Sequence, residues 1–189
     1  MKQKIIISII LTAWMFGTIQ SGGKEMEFSA NVCLSDDQRS NIREILNENK
    51  RTLQEQGIIP EQFDTRIPMN FEWPLAPADH LENFDYWSIS AYVDHNQTIG
   101  QLMDYNCGER TYDMPGYNHL GTDIFTIPYP WRMMDNLDVE IVAAAPGTIL
   151  YKSDGNYDTN CGEGGNWNSV YILHEDGSEA WYGHMKLYS

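Results

Sequence analysis

"SVYILHEDGSEAWYGHM", residues 169–185, decides how this chain reads as a fold. Aromatic and β-branched side chains crowd both sides of Asp176-Gly177, and Asp-Gly is a strong two-residue turn. The stretch therefore predicts a β-hairpin. A two-residue turn would pair His174 with Glu179 and His184 with Ser169, placing the two histidines on opposite faces. Upstream, "VEIVAAAPGTILYKSDG" (residues 139–155) predicts a strand, a turn at Pro146-Gly147 and a second strand. "GTDIFTI" (residues 121–127) reads as a further strand, and "YWSISAYVDHN" (residues 86–96) alternates like another. The expected class is mainly β.

One helix precedes these strands, over residues 35 to about 56. Ser35 can cap it with Gln38 as its capping-box partner, and Asp36 and Asp37 suit the first turn. Ile42, Ile45, Leu46 and Leu53 form an apolar stripe, and Gly57 closes the helix. Residues 58–85 carry Pro60, Pro68, Phe71, Trp73, Pro74 and Pro77, and read as an extended segment that wraps a neighbouring surface. The expected organisation is a signal peptide over residues 1–21, the helix and extended segment over 22–103, and a β domain over 104–189.

The signal reading rests on Lys2 and Lys4, then a short apolar run over residues 5–16, then small and polar residues. The run is short for a membrane span, which needs about 20 residues. A secreted bacterial protein, periplasmic or extracellular, is expected, with no membrane contact after signal removal. The 189 residues carry 27 Asp and Glu against 12 Lys and Arg. That balance argues against nucleic acid and anionic membrane surfaces as partners. There are three cysteines. Cys107 in "DYNCGER" and Cys161 in "DTNCGEGG" both lie in polar, glycine-containing loops, so a Cys107–Cys161 disulfide is expected, with Cys33 left over.

"GYNHLGTDIF" (residues 116–125) poses a geometric question. His119 and Asp123 are four apart, a spacing that suits two metal ligands on a helix, but the residues around them favour strands. In a straight strand, positions four apart lie about 13 Å from each other, too far for one ion. A bend at Leu120-Gly121 would fold His119 back over the strand entrance, and the glycine can take angles that other residues cannot.

Alone, His-x-x-x-Asp is a weak motif. In order, His119-Leu-Gly-Thr-Asp123, "VEIVAAAPGTIL", "WNSVYILHEDG" and "AWYGHM" together closely resemble the lysostaphin-like zinc endopeptidases of bacteria. The resemblance spans about residues 104–184. It implies a small antiparallel β-sheet peptidase domain with an open groove. It also implies that His119 and Asp123 are two zinc ligands and that His184, in Tyr182-Gly183-His184, is a catalytic histidine beside the metal. Zinc with three protein ligands and an open position lowers the pKa of a bound water to about 7 and polarises a scissile carbonyl. A nearby histidine can stabilise the oxyanion. Peptidoglycan cross-link peptides are the implied substrate. The family has a further His-x-His motif, which this chain lacks. The third ligand and second catalytic histidine are therefore expected beyond residue 189, and the chain is expected to be truncated at its C-terminus.

The remaining candidates read differently. His174 looks structural, and His80 and His95 are expected at the surface. Asp113 and Asp135 are expected in solvated loops. Of the aromatic residues Tyr129, Trp131, Trp167, Trp181 and Tyr182, Trp181 suits core packing, while Trp167 is the substrate-groove candidate. The competing reading is a degenerate relative that binds cell wall, or regulates another wall hydrolase, without catalysis. A plain β-sandwich adhesin would leave the ordered motifs unexplained.

Overall fold

A computed structural model describes residues 34–82, 85–98, 100–109, 118–159 and 166–189. The expected signal peptide, Cys33, Asp113 and Cys161 lie outside the described residues. In chain order the elements are α1 (Asp36–Glu55), β1 (Leu75–Pro77), β2 (Trp87–Ala91), β3 (Asp123–Thr126), α2 (Pro130–Asn136), β4 (Val139–Ile141), β5 (Thr148–Ser153), β6 (Ser169–Leu173) and β7 (Glu179–Tyr182). The fold is mainly β: three small antiparallel sheets, ordered β1-β4, β2-β3 and β5-β6-β7.

α1 starts and stops where its residues dictate. The Ser35 hydroxyl accepts the Gln38 N–H at 3.2 Å, and the Gln38 side chain accepts the Ser35 N–H at 3.0 Å. At the far end the Gly57 N–H bonds Gln54 O and the Ile58 N–H bonds Leu53 O, both at 2.9 Å, which satisfies the last carbonyls. The apolar stripe then lands on the three-stranded sheet. Leu46, Ile59, Leu150, Tyr171 and Leu173 form the buried core, with Ile42, Leu53, Phe63, Tyr151 and Trp181 packed around it. Asn49 adds a side-chain hydrogen bond to Leu150 O at 3.0 Å.

The extended segment does wrap a neighbour, by supplying a strand. Leu75 pairs with Ile141 and Pro77 with Val139, while the Val142 N–H bonds Pro74 O and the Glu72 N–H bonds Ala144 O. This changes the reading of residues 139–155. Both strands form, but β4 pairs with β1 and β5 with β6, so Pro146-Gly147 carries the chain between two sheets. Gly147 is pressed so close to the Ile172 side chain and Leu173 O that an added Cβ would sit 2.5 Å from each.

The hairpin also forms, with its register moved by one residue. Leu173 stands opposite Glu179 and Val170 opposite Tyr182. The His174 N–H bonds Ser178 O at 2.9 Å, leaving the three-residue connection Glu175-Asp176-Gly177. Gly177 has φ +86°, and its Cα faces the Phe63 ring, 2.9 Å from where a Cβ would sit. A left-handed glycine at the third position makes a bulged connection, and this displaces the two-residue turn. His174 therefore pairs with Ser178, not Glu179, and the opposite-face argument for His174 and His184 falls with that register.

α2 was not anticipated. Pro130 opens it at a position where the missing N–H costs nothing, and Leu137 closes it with φ 59°. Among the described residues, no helix is long and apolar enough to cross a membrane.

Candidate metal centre

The chain bends at Gly121 and enters β3 at Asp123. The bend folds His119 back over Asp123 as the spacing required. His119 Nε2 lies 3.2 Å from Asp123 Oδ2. The backbone of residues 92–94 does the seating. The Asp94 N–H bonds His119 O at 2.7 Å, and His119 Nδ1 lies 2.8 Å from Tyr92 O. A carbonyl can only accept, so Nδ1 carries a proton and Nε2 is the ring nitrogen that faces Asp123. His119 is 2% exposed, whereas the Asp123 side chain is 34% exposed, so the pair opens to solvent on the carboxylate side.

Gly121 contributes less than its identity suggests. Its φ is not left-handed, and a Cβ built there would meet nothing within 4 Å. The bend comes from the hydrogen bonds that seat His119, not from glycine's extra freedom. A second device went unseen in the sequence. The β2–β3 register shifts between Ile89 and Ala91, so Ala91 rather than Ser90 stands opposite Asp123. A bulge beside a strand end re-aims the side chains there. The Ser90 hydroxyl reaches Asp123 O at 3.4 Å.

The pair fits a metal. Two tetrahedral zinc ligands at about 2.0 Å from the ion stand about 3.3 Å apart. A backbone carbonyl on Nδ1 is the orienting contact that metal-ligating imidazoles use. The same 3.2 Å separation would serve an ion pair if the ring were protonated. Among the described residues, no group of three or more His, Cys, Asp or Glu is arranged to hold a metal ion.

His184 belongs to a different local structure. It is exposed, follows β7, and has φ 56°. The edge of its ring meets Trp167 at 5.1 Å and 88°. Trp167 also covers Gly183, where an added Cβ would stand 2.2 Å from the indole. The Trp167 Nε1–H bonds Tyr171 Oη at 3.0 Å, and the Met185 N–H bonds Asn168 O at 3.1 Å. Trp167, expected at a groove, is half-buried and forms the wall against which Gly183 and His184 lie.

The other candidates sort plainly. His174 is buried, with Nδ1 donating to Pro146 O at 2.9 Å and its ring meeting Phe71 edge-on. His80 and His95 are exposed, and His80 pairs with Asp138 at 2.9 Å. Asp135 is exposed on α2 rather than in a loop. Trp181 packs on the core, edge-on to Tyr171 and beneath Arg39 and Arg43. The Tyr182 hydroxyl accepts the Ala144 N–H at 2.8 Å. Tyr129 and Trp131 are exposed and line a shallow cavity of about 310 Å³ with Pro130 and Arg132. Cys107 is an exposed free thiol at φ 56°, and its expected partner Cys161 lies outside the described residues. Compared with known families, characterised proteins and solved structures, the chain matches none.

Proposed function

We propose that this chain is a secreted zinc metallo-endopeptidase of the lysostaphin-like kind, acting on peptide bonds of the peptidoglycan cross-link class. The observation that carries the reading is the His119–Asp123 pair: an imidazole nitrogen and a carboxylate oxygen 3.2 Å apart, with the ring oriented by Tyr92 O. His119 and Asp123 would hold the zinc, with a third ligand from outside the described residues. Zinc, when bound, supplies Lewis-acid polarisation of the scissile carbonyl and acidifies a water.

The chain's own residues would supply part of the remaining chemistry. Half-exposed Asp123 leaves the solvent side open for an extended peptide. His184 presents an exposed imidazole that would accept the proton released by the attacking water and pass it to the leaving amine. Its left-handed backbone is a conformation that non-glycine residues adopt sparingly and that clusters at functional sites. Trp167 limits the directions its ring can take. A non-catalytic wall-binding relative is the second reading.

The test separates ligand from catalyst. In the full-length protein, Asp123→Ala should lose zinc and activity together. His184→Ala should keep zinc and lose most turnover, by about 100-fold or more for a general acid–base group. Zinc content measured beside release of fragments from purified cell wall distinguishes the two. Equal zinc loss in both variants would make His184 a ligand. Zinc bound tightly with no hydrolysis by the full-length protein would favour the non-catalytic reading.

A further inference from the structure

Behind His119, two buried oxygens have no hydrogen-bond donor: Asp94 Oδ2 and Asn118 Oδ1. Asp94 is 3% exposed. Its other oxygen, Oδ1, accepts the N–H groups of Asn96 at 2.8 Å and Met103 at 3.0 Å. The Asn118 amide donates to Asn96 O. The carboxylate and the amide thus close on the backbone of one residue, one at its N–H and the other at its carbonyl. None of the salt bridges among the described residues reaches Asp94. A buried carboxylate with neither a cation nor a donor on one oxygen is costly, and a neighbouring acceptor without a donor raises that cost.

We propose that Asp94 Oδ2 and Asn118 Oδ1 are ligands of a hard divalent cation of the calcium class, distinct from the His119–Asp123 site. Both atoms are oxygens, the donor type that selects calcium or magnesium over zinc. Calcium takes six to eight oxygens, and backbone carbonyls and water complete the set. The acidic chain, 27 Asp and Glu against 12 Lys and Arg, draws such ions. The site would brace the contact between residues 92–96 and 118–119, which seats His119 through the Asp94 N–H and Tyr92 O. The proposal does not depend on the zinc reading.

The experiment is a calcium chloride titration of the full chain after chelator treatment, read by calorimetry and thermal unfolding. The unaltered protein should bind one equivalent and melt at a higher temperature with calcium. Asp94→Asn should lose both responses, yet melt no lower than the unaltered protein without calcium, because a buried charge is gone. Asp123→Ala, which lacks a zinc ligand, should bind calcium like the unaltered protein. An unaltered protein that ignores calcium overturns the proposal and leaves a buried water as the partner of the two oxygens. Asp94→Asn binding calcium normally, or Asp123→Ala losing it, also overturns the proposal. If Asp94→Asn fails to fold, Asn118→Ala should weaken calcium at least tenfold, and unchanged affinity is decisive against the site.

Discussion

His119 is 2% exposed and held by hydrogen bonds to the backbone of residues 92–94, while His184 stands exposed at φ 56° with its ring edge on one indole. Each histidine follows or precedes a glycine-containing turn, and the two glycines behave in opposite ways. Gly121, between His119 and Asp123, has an ordinary φ and open space at its Cα. Gly183, beside His184, lies under Trp167 with no room for a single methyl. The buried histidine is positioned by polar contacts along the backbone, which tolerate a changed neighbour. The exposed histidine is positioned by ring packing, which does not. A glycine in a motif is thus no guide to its role until its φ and its surroundings are known.

Substituting the glycines tests this contrast directly. Gly183→Ala should cost about 1–3 kcal/mol, the usual penalty of overpacking, because the indole must move or the backbone must. Chemical denaturation would measure the loss, and the His184 ring resonances should shift while zinc affinity at His119 and Asp123 holds. Unchanged stability would mean that Trp167 yields freely and does not position His184. Gly121→Ala should leave zinc affinity unchanged and raise stability by about 0.4–1 kcal/mol, since it narrows only the unfolded ensemble. A loss of zinc affinity there would show that the bend needs glycine after all.

Acid should separate the two regions by a smaller effect. The chain beyond His184 is tied back by carboxylates: Asp158 accepts the Leu187 N–H at 2.7 Å and Asp154 the Tyr188 N–H at 2.9 Å. The Tyr188 N–H, and after it the Gly155 N–H, holds the Asp154 carboxyl below its ordinary 3.8. A carboxyl depressed on folding stabilises fully above its unfolded value, and that support fades as pH falls through the lower folded value. As pH falls below about 4, the Tyr188 amide should therefore gain hydrogen exchange relative to that expected for its pH, before the Asp94 amide behind His119 does. Simultaneous loss at both amides would mean that acid unfolds the molecule as a whole.

Strands, helix and caps were legible because local chemistry decides them. Ser35 with Gln38 set the start of α1, alternation marked β2, and aromatic and β-branched residues marked β3, β6 and β7. The bend that joins His119 to Asp123 was also legible, because a straight strand made the motif impossible. Pairing was not legible. Nothing within residues 139–155 says that β4 turns to Leu75–Pro77, because the partner lies more than sixty residues upstream. The hairpin register hung on whether Gly177 or the Asp176-Gly177 pair made the turn, and Phe63 packing on Gly177 belongs to that answer. The bulge at Ser90 left no mark, since it depends on how β2 meets β3.

The docking of α1 has a consequence in time. Its Asn49 bonds Leu150 O across a separation of 101 residues, and Leu46 waits for Tyr171 and Leu173 to complete its pocket. Contacts that span so much chain slow folding, because a long loop must close before they reward it. A chain emerging N-terminus first would present α1 with its apolar stripe uncovered while more than a hundred further residues are made. The capping box at Ser35 and the closing bonds at Gly57 can hold the helix through that interval, but they cannot bury Leu46. In this protein the first element to form would be among the last to settle.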